Sequence, residues 1–308
     1  MKNLKKIKGD ASDREFFRKK NKNYYSIVVY SKKEKFKNLL VYDAINKILN
    51  KNGILAPKLH REEYKKNYIE IQDFGNDTIY KILKKKKNKN FFYFKKIITI
   101  LNKIQTIKNR KIKNFKKKIY IIPKYKREIL LQEANLFTDW YVKKNKKKFK
   151  EKFKKITKRL VSHLKLRNNV FVHRDFHVSN LMFHNDKLGV IDSQDALIGN
   201  KAYDLASLID DVRFKTSSSF KNKVYKMYIN KQGILNKDKF KNDFEILSIL
   251  RNFKIIGIFI RLSLRDNKKK YIRLIPYAWE MINHRIKKQK EFKNLMLLLK
   301  NNFPKYIR

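Results

Sequence analysis

The chain has 308 residues, 79 Lys+Arg against 27 Asp+Glu, a formal charge of +52 and no cysteine. The missing cysteine excludes disulfides, thiolate nucleophiles, zinc fingers and iron–sulfur sites, and 42% hydrophobic with 13% aromatic residues excludes a disordered polybasic chain. Only 7 Gly and 4 Pro exclude collagen-like and glycine-rich architectures, and the length allows one large domain or two.

Along the chain, Met1 to Phe17 carries charge but no apolar h-region, so no secretory signal is read there. Tyr24–Tyr30 is a β-branched and aromatic run that predicts a strand. Phe36–Asn50 has apolar residues at helical spacing, ended by Asn52-Gly53. A short strand is expected near Leu59 and an alternating one over Tyr68–Gln72, followed by a turn at Asp73–Asp77. Helices are then predicted over 78–86, 91–107, 126–145, 148–166, 202–213, 218–230, 237–264 and 270–287. Short apolar pieces interrupt them around Val170–Val172, Asn180–Phe183 and Leu188–Ile191. No repeat and no Ser/Pro/Gly linker is present. The longest apolar stretches, such as Ile255–Ile260, fall far below the roughly 18 residues that cross a bilayer. The expectation is a soluble, cytoplasmic protein without a membrane partner.

A charge of +52 ordinarily points to nucleic acid. Here the excess is mostly Lys alongside much Asn, Ile, Tyr and Phe, and it spreads over helix-surface runs such as Lys84–Lys87 and Lys143–Lys148. Compositional drift with solvated helix faces is therefore preferred over a polyanion surface. One segment breaks the pattern. Between Val170 and Asp211, seven acids face three basic residues, a net −4 that leaves +56 on the remainder. Asp210 and Asp211 are read as helix caps or lysine partners; the others suggest metal binding or proton handling.

The core of that segment is His173-Arg174-Asp175, then Asn180 five residues after the aspartate, then Ile191-Asp192 after a short strand. Phosphoryl transfer from ATP needs such a set: one carboxylate orients or deprotonates an acceptor hydroxyl, and an amide with a second carboxylate holds Mg²⁺ on the phosphates. Asp175 is the expected base, and Asn180 and Asp192 the expected metal ligands. Asp73-Phe74-Gly75 spells a protein-kinase metal motif but lies about 100 residues before the His-Arg-Asp loop. It is read as a hinge whose backbone meets adenine. Protein-kinase identity is also disfavoured by the missing glycine-rich loop and strand lysine motif. His177 and His184 are read as loop structure.

HRDFHVSN, GVIDSQDALIG and YDLASL resemble the aminoglycoside phosphotransferase/choline kinase-like superfamily. Gly9–Arg18, Glu70–Tyr80, Gln132–Val142 and Arg251–Pro276 look most like the bacterial anomeric kinases of N-acetylmuramate and N-acetylglucosamine in cell-wall recycling. The resemblance covers nearly the whole chain. It implies an α+β, bilobal protein kinase-like fold, with residues 1–75 as a small β-rich N-lobe and 76–308 as a larger, mainly helical C-lobe. It further implies an ATP- and Mg²⁺-dependent phosphotransferase with a small sugar as acceptor; aminoglycoside, choline, homoserine or an RNA-binding pseudo-kinase rank below.

Two departures accompany the resemblance. The superfamily's strand lysine is absent from IVVY, with Lys32 or Lys33 just beyond it, and Arg14 and Arg18 are taken as substitutes on the ATP side with Asp73, Phe74 and Gly75. Ser193 stands where the family carries an aromatic residue. Glu133, Trp140 and Arg174 are assigned to the acceptor, and Phe137 and Tyr141 are weighed against core packing. His173, Asp195 and Asp204 are assigned to structural support.

Overall fold

The computed structural model describes residues 4–7, 14–32, 38–86, 90–143, 145–233, 236–287 and 290–307. Gly9–Asp13, Lys33, Phe36, Lys87 and Lys144 lie outside the described residues. The chain divides into two compact units, one of 1–123 with 170–198 and the other of 124–169 with 199–308.

In the first unit, five strands form an antiparallel sheet: β1 (Leu4–Ile7), β2 (Arg14–Lys20), β3 (Tyr25–Ser31), β4 (Leu59–Glu63) and β5 (Tyr68–Gln72), in the order β1-β2-β3-β5-β4. β3 is central because its β-branched and apolar residues can be covered on both faces, and Ser26 through Val29 are all buried. Ile27 and Val29 pack with Ile69 and Ile71 of β5 against Leu39 and Tyr42 of helix α1 (Asn38–Lys51). The REFFRKK strand β2 is half-buried from Arg14 to Lys19, so its charges hid a strand that the sequence reading missed. Past β5 come α2 (Ile79–Lys85), α3 (Asn90–Gln105) and the two-stranded pair β6 (Lys111–Lys113) and β7 (Ile119–Ile121). β8 (Asn168–Val172) pairs with β11 (Leu197–Asn200), and between them lies the hairpin β9 (Leu181–His184) and β10 (Lys187–Val190). Its two-residue turn, Asn185-Asp186, has φ of 46° and 56°. Asn and Asp tolerate that left-handed conformation, which matches the strands' twist.

The turn after β5 is tied back to β2. Arg18 Nε and Nη2 donate to the two Asp73 carboxylate oxygens at 2.5 and 2.9 Å, Nη1 donates to Asn76 Oδ1 at 2.7 Å, and Nη2 also reaches the Gly75 carbonyl at 2.8 Å. The Asp73 side chain is only 6% exposed, so its charge depends on that fork.

The second unit is helical: α4 (Arg127–Leu136), α5 (Lys147–Ser162), α6 (Tyr203–Ile209), α7 (Ser218–Gln232), α8 (Lys237–Leu264), α9 (Ile275–Ile286) and α10 (Lys293–Asn302). α4 does not run to 145 as the periodicity suggested; it passes at Phe137 into a π-helical turn ending at Tyr141. Phe137 is fully buried there among Phe149, Phe153, Phe253, Trp279 and Phe303. α8 passes close enough that a Cβ on Gly257 would sit 2.3 Å from the Leu136 carbonyl group, so only glycine permits this approach. No described helix is long and apolar enough to cross a membrane.

Asp210, at the end of α6, is buried against α7, α8 and α9. Arg285 donates two hydrogen bonds at 2.9 Å, Ser248 donates one at 2.5 Å, and Lys221 Nζ lies 3.3 Å away. The preferred reading of Asp210 as a lysine partner holds, with an arginine added. Burial works against its charge, but Arg285, Lys221 and Ser248 outweigh it and hold the carboxyl well below its ordinary value.

Two stability effects are expected. Asp210→Asn leaves two buried cations uncompensated and lowers stability at pH 7 by about 3–5 kcal/mol. Because the folded-state pKa is depressed, the parent's advantage is present above the ordinary carboxylate range and shrinks as pH falls below about 4. Thermal midpoints of both proteins across pH 3–7 check this. Arg18→Ala strands the Asp73 carboxylate and costs about 2–4 kcal/mol, and Arg18→Lys restores only part, since an ammonium cannot form the two-pronged pair. Denaturant midpoints of the three proteins measure it.

Candidate active site

The polar residues of segment 170–198 fall into one loop system inside the first unit. β8 delivers His173-Arg174-Asp175 to its end. His173 is fully buried, with Nε2 3.1 Å from the Ile191 carbonyl, and this ties the start of the loop to the strand end that carries Asp192. Arg174 takes a left-handed φ of 73°, and its Nη1 donates to the Asp195 carbonyl at 3.1 Å. Arg174 thus braces the far side of the loop, a contact the acceptor assignment did not foresee.

Asp175 is half-buried. Its carbonyl accepts from the His177 amide at 3.0 Å and from Asn180 Nδ2 at 3.1 Å. That second bond fixes the amide of Asn180, committing its nitrogen inward and leaving Oδ1 as the group to offer a cation. The Asn180 backbone is held too, its amide donating to His177 and its carbonyl accepting from Ile191 at 3.0 Å. His177 therefore serves the loop, and His184 stacks on Phe74 at 4.9 Å, in line with their reading as structure.

Asp192 also sits at a left-handed φ, 61°. Arg14 Nη2 meets its Oδ1 at 3.0 Å, from a side chain only 8% exposed, while Asp192 keeps 38% of its side-chain surface. Arg14 opens β2 opposite Ser31, the last residue of β3, so a cation reaches the site from the neighbouring strand although β3 has none. Lys32 is exposed. Desolvation raises the Asp192 pKa, opposed by Arg14 and reinforced by the carboxylates of Asp175 and Asp195. Asp195 itself is exposed, accepting from Gln194 Nε2 at 2.9 Å, and it helps burial push the nearby Tyr120 hydroxyl up to about 12.

The donor set suits a hard divalent cation. One carboxylate and one oriented amide oxygen lie on a loop whose acids repel each other, and a cation offsets that repulsion. Among the described residues no three His, Asp or Glu side chains form a metal cage.

The remaining candidates divide between the units. In the first, Phe74 is buried, and Gly75 at φ 82° has its amide bound to Asp73 Oδ1 at 2.7 Å and its carbonyl to Arg18, so both of its backbone groups are already engaged. In the second, Glu133 accepts from the Tyr125 hydroxyl and from Lys254 Nζ at 2.9 Å, with both partners of the ion pair 12–13% exposed. Trp140 is half-exposed on the π-helical turn, whereas Phe137 and Tyr141 belong to the aromatic core. Asp204 is fully buried in α6.

Sequence reasoning missed Asn46 and Tyr42 of α1. Arg14 lies 5.7 Å over the Tyr42 ring, and Ser193 Oγ donates to Asn46 Oδ1 at 2.7 Å. The available signal was an asparagine among the apolar residues of a helix predicted to be amphipathic.

The phosphotransferase enzyme family matches residues 3–234. A kinase of N-acetylmuramate/N-acetylglucosamine from Pseudomonas putida is 26% identical over 297 residues, 93% of this chain and 84% of that one. A protein of the same name from Neisseria meningitidis is 36% identical over 167 residues, 51% of this chain and half of the other. Choline kinase LicA from Streptococcus pneumoniae shares the fold at a TM-score of 0.63 and 16% identity, over 91% and 92% of the two chains. The chain belongs to the phosphotransferase enzyme family and is a small-molecule kinase with the protein kinase-like fold of its structural neighbours.

Proposed function

We propose that this kinase transfers the γ-phosphoryl group of ATP, with Mg²⁺, to the anomeric hydroxyl of an amino sugar, N-acetylmuramate or N-acetylglucosamine, giving the sugar 1-phosphate. The observation that carries the reading is the shared anchoring of Asp175, Asn180 and Asp192: the Asn180 side chain grips the Asp175 carbonyl, and its own carbonyl grips the strand end before Asp192. The names of the relatives supply the sugar.

In this reading Asp175 accepts the hydroxyl proton as the sugar oxygen bonds to phosphorus and the bond to the departing ADP breaks. Asn180 Oδ1 and the Asp192 carboxylate would hold Mg²⁺, which neutralises charge on the phosphates. Arg14 stands beside Asp192 as a cation for the phosphate side. Arg18 serves the ATP side indirectly, by fixing the turn of Asp73, Phe74 and Gly75, in which the backbone of Asp73 and Phe74 would meet adenine while that of Gly75 is held within the turn. Residues 1–75 would cover the nucleotide, and 76–308 would carry the rest of the chemistry. On the acceptor side stand Arg174, the half-exposed ring of Trp140 as a stacking face, and Glu133 as a hydrogen-bonding carboxylate. His173, Asp195 and Asp204 support the loops. The product would feed a nucleotidyl transfer in cell-wall recycling.

Incubation with ATP, Mg²⁺ and either sugar should yield a phosphate whose phosphorus couples to the C1 proton in NMR. Asp175→Asn should keep the fold and nucleotide binding while turnover falls by about 10²–10⁴. Phosphate at C6, or transfer only to choline or an aminoglycoside, would overturn the acceptor. Turnover within a few-fold of the parent would overturn the base.

A further inference from the structure

Asp192 is held at a left-handed φ of 61°, a conformation uncommon for L-residues although aspartate tolerates it better than most. Such a conformation persists only where neighbours fix the chain on both sides. Before Asp192, the Ile191 amide donates to the Asn180 carbonyl at 3.0 Å, and its carbonyl faces His173 Nε2 at 3.1 Å. After it, one side-chain contact stands out. Ser193 Oγ donates at 2.7 Å to Asn46 Oδ1, across 147 positions of sequence, with the serine fully buried and the asparagine 3% exposed.

The Asn46 amide cannot turn away. Its Nδ2 donates to the Pro57 carbonyl at 3.1 Å, so its oxygen is presented to Ser193 in one orientation. One turn earlier on α1, buried Tyr42 lies beneath the Arg14 guanidinium that pairs with the Asp192 carboxylate. Helix α1 therefore touches the loop twice, once through the backbone neighbour of Asp192 and once through the counter-ion of its side chain.

We infer that Asn46 and Ser193 form a positioning pair that holds Asp192 in its cation-binding conformation, so that the placement of α1 sets the affinity for Mg²⁺–nucleotide. The pair touches neither metal nor substrate. It acts through Asp192 and rests on the reading of that residue as a ligand. Ser193 is then the hydroxyl that lets an asparagine on α1 reach the metal loop. Outer partners of a metal ligand typically change affinity about 10–100-fold when removed.

The test is calorimetric titration of the full chain with a non-hydrolysable ATP analogue, with and without Mg²⁺, alongside thermal midpoints in metal-free buffer. Ser193→Ala and Asn46→Ala should each weaken binding in Mg²⁺ about tenfold and leave metal-free binding within about twofold. The double variant should be no weaker than the worse single one, and Ser193→Thr should restore affinity to within about threefold by keeping the hydroxyl. If Asn46→Ala does not fold, the two Ser193 variants decide alone. Lowered midpoints with unchanged Mg²⁺-dependent affinity would make the pair a packing contact and overturn the inference, as would additive losses. A parent whose nucleotide affinity ignores Mg²⁺ would instead remove the metal reading on which the pair depends.

Discussion

Carboxylates brought close together repel, and the candidate active site rests on holding Asp175 and Asp192 in place against that repulsion. The restraint is a set of backbone and side-chain bonds joining the ends of one loop system: His173 to Ile191, Ile191 to Asn180, Asn180 to Asp175, and Arg174 to Asp195. Two residues in it, Arg174 and Asp192, sit at positive φ. That strain has a physical reason, because extended backbone at those points would turn the chain away from the set. Desolvation raises the Asp192 pKa, with the carboxylates of Asp175 and Asp195 adding to it against Arg14, and a divalent cation would offset both effects.

The same economy of charge explains the basic chain. Most of the described lysines are solvent-exposed, where ion pairs contribute little. The cations that matter are few and enclosed. Arg14 balances Asp192, Arg18 balances Asp73, and Arg285 with Lys221 balances Asp210. In each case a carboxylate, buried for Asp73 and Asp210 and partly exposed for Asp192, has a cation brought to it from a distant part of the sequence. Arg18 and Arg285 each meet their carboxylate through two bonds, the planar fork that an ammonium cannot form.

Much of this was legible in the sequence where local rules suffice. The apolar run of β3, the alternation of β5 and the periodicity of α8 each carry a signal within a few residues, and β5 and α8 lie over the predicted spans. The candidate loop was legible because its polar residues are packed into about twenty positions. What was hidden depends on partners elsewhere. β2 reads as a charged segment until β1 and β3 flank it, and Ile119 and Ile121 of β7 remain exposed, so their pairing leaves no burial pattern. The π-helical turn at Phe137 follows from the aromatic core and the close passage of Gly257, which no spacing within Gln132–Val142 encodes. The Asn46–Ser193 bond has no motif at all; it exists only because α1 and the loop after β10 meet.

The central claim is that Asn180 and Asp192 are a prepared oxygen pair for a cation bridging ATP phosphates. A crystal structure of the full chain with Mg²⁺ and a non-hydrolysable ATP analogue tests it most directly. The account predicts the ion on Asn180 Oδ1 and the Asp192 carboxylate, at the roughly 2.1 Å expected for Mg²⁺, with Asp192 still at positive φ and the Asn180 amide still on the Asp175 carbonyl. An ion seated on other side chains, with Asp192 still paired only to Arg14, would contradict it.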